Sequence, residues 1–94
     1  MRGMFFKAHS FNQPLNNWDV SNVLDMRKMF YEAESFDQPL DNWELNSILD
    51  MQDMFYGAKK FNQNLDAWAI RDHTNITDMF VDAHSLEKLP EWNR

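Results

Sequence analysis

The chain repeats itself every 25 residues. Residues 1–25 and 26–50 are identical at 14 of 25 positions, and the pair Met4-Phe5 recurs at this step as Met29-Phe30, Met54-Phe55 and Met79-Phe80. A fixed period of roughly 20–50 residues is typical of repeat proteins, in which each unit buries its apolar face against the next. We therefore expect a single repeat domain over residues 1–94. Its coils would be 1–25, 26–50, 51–75 and 76–94, the last with an irregular C-terminal end.

One segment of each repeat has the spacing of a short amphipathic helix. Met26, Met29, Phe30 and Ala33 fall at i, i+3, i+4 and i+7, which is one stripe of a helix. The residue before each stripe, such as Asp25, has a side chain that can accept from backbone N–H groups at a helix start. The pattern predicts helices near 1–8, 26–33, 51–58 and 76–83. Two turns are too short to be stable alone, so packing must stabilise them.

A second segment, which starts at Leu15, has the spacing of a strand. Leu15, Trp18, Val20 and Val23 follow the L-x-x-L-x-L spacing of leucine-rich repeats, and Trp18 and Val20 alternate with polar neighbours. The predicted fold is an α/β solenoid with one short parallel strand and one short helix per repeat. In the third repeat His73 occupies the inward position, and we expect a hydrogen-bonded histidine in the core.

The connecting segments Phe11-Asn12-Gln13-Pro14 and Phe36-Asp37-Gln38-Pro39 carry glutamine at one fixed position. Polar groups that lie between coils must be paired. We expect these amides to bond to the next coil. At the C-terminal end the spacing slips, because Leu89-Pro90-Glu91-Trp92 comes one residue early.

The units MFFKAHSFNQPLNNWDVSNVLDM and MFYEAESFDQPLDNWELNSILDM resemble the BspA-type leucine-rich-repeat family, whose repeats of about 25–26 residues occur in bacterial surface proteins and Mycoplasma lipoproteins. The resemblance covers residues 1 to about 86. It implies a right-handed strand–helix solenoid used for adhesion or protein contact, at the cell surface or secreted. It implies no catalytic residue.

Composition and charge exclude several classes of function. The chain has 9 basic and 15 acidic residues, so its net charge is −6. Nucleic-acid binding needs a surplus of Lys and Arg, and we expect none. No apolar run approaches the ~18 residues of a membrane span, so we expect no membrane insertion. Without cysteine there is no disulfide and no lipid-anchoring Cys in this chain, and the start does not resemble a signal peptide.

The sequence predicts no cofactor and no metal site. His9 and His84 share a column of the repeat, but at ~4.8 Å per coil they would lie about 15 Å apart. Acidic residues also form columns, in which repulsion would raise the pKa of one carboxyl or recruit a cation such as calcium. We favour solvated surface charge for these columns. The columns are Asp19 with Glu44, Asp41 with Asp66, and Asp25 with Asp50.

Enzymatic activity has little support, because the chain contains no Gly-x-Ser-x-Gly turn, and two glycines cannot build a phosphate loop. We predict a non-enzymatic module that binds a protein partner or a host surface ligand. The outward positions of the predicted strands form its candidate ligand face. That face consists of Asn17, Asp19, Ser21, Asn42, Glu44, Asn46 and Arg71, together with Ala67 and Ala69.

Two alternatives remain open at this point. The first is a cation-dependent carbohydrate-binding or glycan-processing module that uses the acidic columns. The second is a structural, self-assembling spacer. Because Met1 aligns with Met26, the first coil begins inside its predicted helix without a cap. We interpret this uncapped coil in one of two ways: the chain is a fragment of a larger bacterial surface or secreted protein with a longer array, or the coil mediates end-to-end self-association.

Overall fold

The computed structural model describes residues 1–93 and contains very little regular secondary structure. Over this range the only helix is the 3-10 helix Glu91–Asn93. Among the same described residues, parallel pairing is limited to two isolated bridges, which join Asp25 to Asp50 and Asp50 to Asn75. The predicted α/β solenoid, with a strand and a helix in each repeat, is therefore wrong.

The segments expected to be helical are ribbons of consecutive turns. In 26–33 the Met29 N–H donates to the Met26 carbonyl at 3.2 Å, and the Ala33 N–H donates to the Phe30 carbonyl at 3.0 Å. The third residue of each turn is left-handed, with φ of 57° at Lys28 and 53° at Glu32. A right-handed helix cannot contain such residues. The equivalent residues of the other coils are also left-handed: Gly3, Lys7, Asp53, Gly57, Asp78 and Asp82.

Alternate N–H groups of the first three ribbons join each ribbon to the next coil. Lys28 donates to the carbonyl of Gln52 at 3.0 Å, and Phe30 donates to that of Met54 at 2.8 Å, so each bond spans 24 residues. A helix would use these donors internally, four residues back along the chain. Here the same donors bond successive repeats to one another, which explains why local helix formation loses to stacking.

The apolar stripe is buried although it is not helical. Met26, Met29, Phe30 and Ala33 are all 0% exposed. Two consecutive four-residue turns place residues i, i+3, i+4 and i+7 on one side of the ribbon, as two turns of helix would. The spacing therefore identified the buried face correctly and the backbone conformation incorrectly.

Aromatic side chains form columns that run from coil to coil. The Phe30 ring stacks on Phe5 and Phe55, with centroids 5.6 Å and 5.3 Å apart, and Phe80 continues the column beyond Phe55 at 5.6 Å. A parallel column of Phe11, Phe36 and Phe61 packs beside it. Offset stacking adds to the energy of burial, so the many phenylalanines of the chain belong to its core.

A tryptophan column lies at the start of the second segment. Trp43 and Trp68 are 3% exposed, whereas Trp18, in the first coil, is 37% exposed. Trp92 stacks on Trp68 at 6.0 Å, and its Nε1 donates to the carbonyl of Leu65 at 2.9 Å. Trp92 therefore continues the tryptophan column, although it follows Trp68 by 24 residues and not by 25.

The prediction that His73 is a core histidine is wrong. His73 is exposed, and the neighbouring Thr74 is buried instead. The Thr74 Oγ1 donates to the carbonyl of Ile48 at 3.2 Å, and its N–H closes a turn on the Arg71 carbonyl at 3.1 Å. The turn of the third coil is shifted by one residue, so a hydroxyl that can bond to the preceding coil fills the inward position.

Candidate functional site

The residues of the predicted ligand face lie on turns or between them, not on strands. In each coil one turn ends at the tryptophan column: the Trp43 N–H donates to the Leu40 carbonyl at 3.1 Å. A second turn follows, in which the Ile48 N–H donates to the Leu45 carbonyl at 3.4 Å. Ser21 is half-buried, and the other six polar residues of the face are exposed: Asn17, Asp19, Asn42, Glu44, Asn46 and Arg71.

Three of these residues line an open recess in the surface. Asn42, Glu44 and Asn46 surround it together with Ala67 and Ala69 of the next coil, and its volume is about 510 Å³. The recess exists because the third coil carries alanine where the second carries Asn42 and Glu44. The remaining predicted residues, Asn17, Asp19, Ser21 and Arg71, do not line it.

Glu44 supplies an unpaired negative charge at this recess. Within residues 1–93 its carboxylate forms no hydrogen bond and no ion pair, and the side chain is exposed. Asp41, which also lines the recess, accepts a hydrogen bond from Asn16 Nδ2 at 3.0 Å. The recess therefore offers a carboxylate and the amides of Asn42 and Asn46 to a ligand.

Asp19 is occupied within its own turn. Its Oδ1 accepts from the Ser21 hydroxyl at 2.6 Å and from the Ser21 N–H at 3.0 Å. These hydrogen bonds favour the ionised form and lower the pKa of Asp19. Asp19 is thus not a carboxyl whose pKa rises by repulsion from Glu44.

Arg27 neutralises the column of Asp25 and Asp50. Its guanidinium lies 2.8 Å from Asp25 Oδ2 and 3.7 Å from Asp50 Oδ2. The hydrogen bonds from this guanidinium lower the pKa of Asp25 to about 2, against a smaller opposing effect of desolvation. Asp25 Oδ1 also accepts from the Arg27 N–H at 2.9 Å. Asp25 was expected to cap a helix, but its side chain closes a turn instead.

The carboxylates of the third acidic column, Asp41 and Asp66, also have partners within the chain. Asp66 accepts from the Glu91 N–H at 2.8 Å and lies 3.7 Å from Lys88 Nζ. Across residues 1–93 no group of three or more His, Asp or Glu side chains is placed to hold a metal ion. In the same range no helix has the length and apolar character needed to cross a bilayer.

A ladder of side-chain amides and carboxylates connects the coils and was not predicted. Asn12 Oδ1 accepts from the Asp37 N–H at 2.9 Å, and Asp37 Oδ1 accepts from the Asn62 N–H at 2.9 Å. Gln38 and Gln63 donate to the same two acceptors at 3.1 Å and 2.8 Å. The glutamines were expected to bond to the next coil, and that direction is wrong: they bond between coils, but to Asn12 and Asp37 of the preceding coil. The recurring Asn or Asp before each glutamine was the available signal.

Comparison with known proteins identifies one family. A family model described as "Mycoplasma protein of unknown function, DUF285" matches residues 1–92. No curated protein matches the chain, and no solved structure does.

Proposed function

The chain belongs to the DUF285 family of Mycoplasma proteins of unknown function, and we propose that it is a non-enzymatic module that binds a protein partner. The observation that supports this proposal is the recess between the second and third coils. Asn42, Glu44 and Asn46 surround it, and Ala67 and Ala69 leave room within it.

The chemistry of the recess favours a basic segment of the partner. An exposed carboxylate without an internal partner can pair with a lysine or arginine side chain, and the flanking amides of Asn42 and Asn46 can bond to the main chain of the same segment. The net charge of −6 would also speed the approach of a basic partner.

The acidic columns do not favour the cation-dependent alternative. The carboxylate of Asp19 accepts from Ser21, and that of Asp25 accepts from Arg27. The carboxylate of Asp66 accepts from the Glu91 N–H and lies 3.7 Å from Lys88 Nζ. Among the six acids of these columns, only Glu44 forms no such bond within residues 1–93, so its carboxylate is available to a ligand.

The resemblance to BspA-type repeats, which lies in the spacing of apolar residues, supports an adhesive setting. We propose a cell-surface or secreted location, where the recess would meet a host surface ligand. Antibodies raised against the 94-residue chain should label intact cells. Labelling that requires permeabilised cells would contradict this location.

Binding can be tested by NMR titration of the 94-residue chain. The probe is a blocked peptide of alternating glycine and lysine, and the control peptide carries glutamate in place of lysine. We expect the lysine peptide to shift the backbone amide signals of Asn42, Glu44, Asn46, Ala67 and Ala69, because these residues line the recess. We expect the glutamate peptide to leave them unchanged.

Two variants locate the binding, and one serves as a matched control. Glu44→Gln removes the charge and Ala69→Trp fills the recess, so both should abolish the shifts. Glu87→Gln removes an exposed acid elsewhere and should preserve them. Shifts that persist in both recess variants, or that disappear equally in Glu87→Gln, would contradict the proposal.

A further inference from the structure

The outer surface of the first coil presents unused hydrogen-bond acceptors. The carbonyl groups of Arg2, Met4 and Phe6 accept no hydrogen bond from residues 1–93. Their equivalents one coil further all accept from the preceding coil; the carbonyl of Met29, for example, accepts from the Phe5 N–H at 2.9 Å. We call this surface the leading face.

The last coil presents the matching donors. The N–H groups of Asp78, Phe80 and Asp82 donate to no acceptor within residues 1–93. The equivalent donors one coil earlier reach the last coil; the Asp53 N–H, for example, donates to the Thr77 carbonyl at 3.0 Å. We call this surface, formed by residues 76–82, the trailing face.

The leading face is also apolar where the other coils are covered. Met4 is 52% exposed, whereas its equivalents Met29 and Met54 are 0% exposed. Trp18 is 37% exposed, whereas Trp43 is 3% exposed. Within residues 1–93 no coil packs on the outer side of these two side chains.

The two faces carry opposite charges in one column of the repeat. Lys7 lies on the leading face and Asp82 on the trailing face, and both are exposed. They are the first and last members of the column that also contains Glu32 and Gly57. If one copy stacked on another in the same register, Asp82 of the first would therefore lie beside Lys7 of the second.

We propose that two copies of this chain associate head to tail, with the trailing face of one against the leading face of the next. The N–H groups of Asp78, Phe80 and Asp82 would donate to the carbonyls of Arg2, Met4 and Phe6 of the second copy. The pairing repeats the 24-residue step of the internal ladder. Unpaired backbone edges of this kind are templates for association.

A second copy fits this surface because its face has the same repeat geometry. The Phe5 ring of the second copy would extend the column that ends at Phe80, in which successive centroids lie 5.3–5.6 Å apart. The contact is heterologous, since different surfaces meet, and such a contact produces open chains of copies. The inference is independent of the recess that carries the proposed function.

Sedimentation velocity of the 94-residue chain over a wide concentration series tests the association. We expect the weight-average sedimentation coefficient to rise continuously with concentration, without a plateau at two copies. We also expect association to weaken in high salt, because the opposed charges are exposed.

Charge reversal distinguishes the head-to-tail arrangement from other contacts. Lys7→Glu and Asp82→Lys each place like charges at the joint, and each variant alone should associate about tenfold more weakly. An equimolar mixture of the two should recover the wild-type association, because every joint in an alternating chain then pairs opposite charges. Melting temperatures of both variants should match that of the wild type. Matched melting temperatures show that both variants are folded.

Three results would overturn the inference. A chain that stays monomeric at every concentration has no such contact. A chain that stops at two copies has a closed contact and not an open head-to-tail one. If a mixture of the two folded variants associates no better than either variant alone, Lys7 of one copy and Asp82 of the other do not meet at the contact.

Discussion

The indole Nε1 of Trp43 donates a 2.9 Å hydrogen bond to the carbonyl oxygen of Leu15 in the preceding coil. Trp68 bonds to Leu40 in the same way, at 2.8 Å. The bond crosses the coil boundary while the ring fills the core. Each of these tryptophans therefore stabilises both the interior of its own coil and the contact with the coil before it.

Substitution of Trp43 tests this double role. Trp43→Ala should lower the free energy of unfolding by about 3–5 kcal/mol, because it empties a buried position. Trp43→Phe should cost about 0.5–1.5 kcal/mol, since it retains a ring but removes one of the two hydrogen bonds that the Leu15 carbonyl accepts, the other being from the Trp18 N–H. Urea unfolding followed by circular dichroism measures both. Trp18→Ala is the control and should cost less, since Trp18 is 37% exposed; equal costs at positions 18 and 43 would contradict the stacking order.

The left-handed turn residues predict a stabilising substitution. Lys28→Gly should raise the free energy of unfolding by about 0.5–1 kcal/mol, because glycine adopts a φ of 57° without the clash of a Cβ. Gly3 already occupies the equivalent position in the first coil. Lys60→Gly is the matched control outside the left-handed positions and should be destabilising. Thermal and urea unfolding would refute the turn assignment if both variants lost stability equally.

The side-chain ladder predicts a specific loss at Asp37. Asp37→Ala removes the acceptor of the Asn62 N–H and of Gln63 Nε2, and it should cost about 0.5–1.5 kcal/mol. Asp37→Asn keeps a side-chain oxygen and should stay within ~0.5 kcal/mol of the wild type. Asp72→Ala, at an exposed position, should also be neutral. An Asp37→Ala variant as stable as Asp72→Ala would contradict the ladder.

The ion pair of Asp25 and Arg27 predicts a pH dependence. The pKa of Asp25 is lowered from 3.8 to about 2, so its contribution to stability is complete above pH ~4 and is lost as the pH falls toward about 2. Carboxyl NMR titration measures this pKa directly. Arg27→Gln should raise the pKa of Asp25 toward its ordinary value and flatten the dependence of stability on pH in that window. Identical titration of Asp25 in both proteins would contradict the pairing.

The sequence predicted which residues are buried more reliably than how the backbone folds. Met26, Met29, Phe30 and Ala33 form the core as expected, because periodicity records which side of a segment is apolar. The same periodicity could not distinguish a helix from two consecutive turns, since both place these four residues on one side. The conformation depends on which carbonyls accept from the backbone N–H groups, and many of those carbonyls belong to the neighbouring coil.

At the candidate site, too, the sequence predicted which residues are exposed but not how they are arranged. Outward positions such as Asn42 and Glu44 are exposed as predicted, because each follows or precedes a buried member of the repeat. The recess depends on Ala67 and Ala69 lying beside them, which is a relation between coils. The local bonds of Asp19 to Ser21 depend on the turn geometry, which the predicted strand did not contain.

In the third coil we expect substitution of Thr74 to lower the free energy of unfolding and substitution of the adjacent His73 to leave it nearly unchanged. Thr74→Val keeps the shape of a buried side chain but removes the hydroxyl that donates to the Ile48 carbonyl at 3.2 Å. We expect a loss of about 1 kcal/mol in the free energy of unfolding. His73→Ala is the matched control and should change stability by less than ~0.5 kcal/mol, because His73 is exposed. Urea unfolding of the two variants therefore decides which residue occupies the inward position. A larger loss in His73→Ala than in Thr74→Val would place the histidine inside and restore the unshifted 25-residue register.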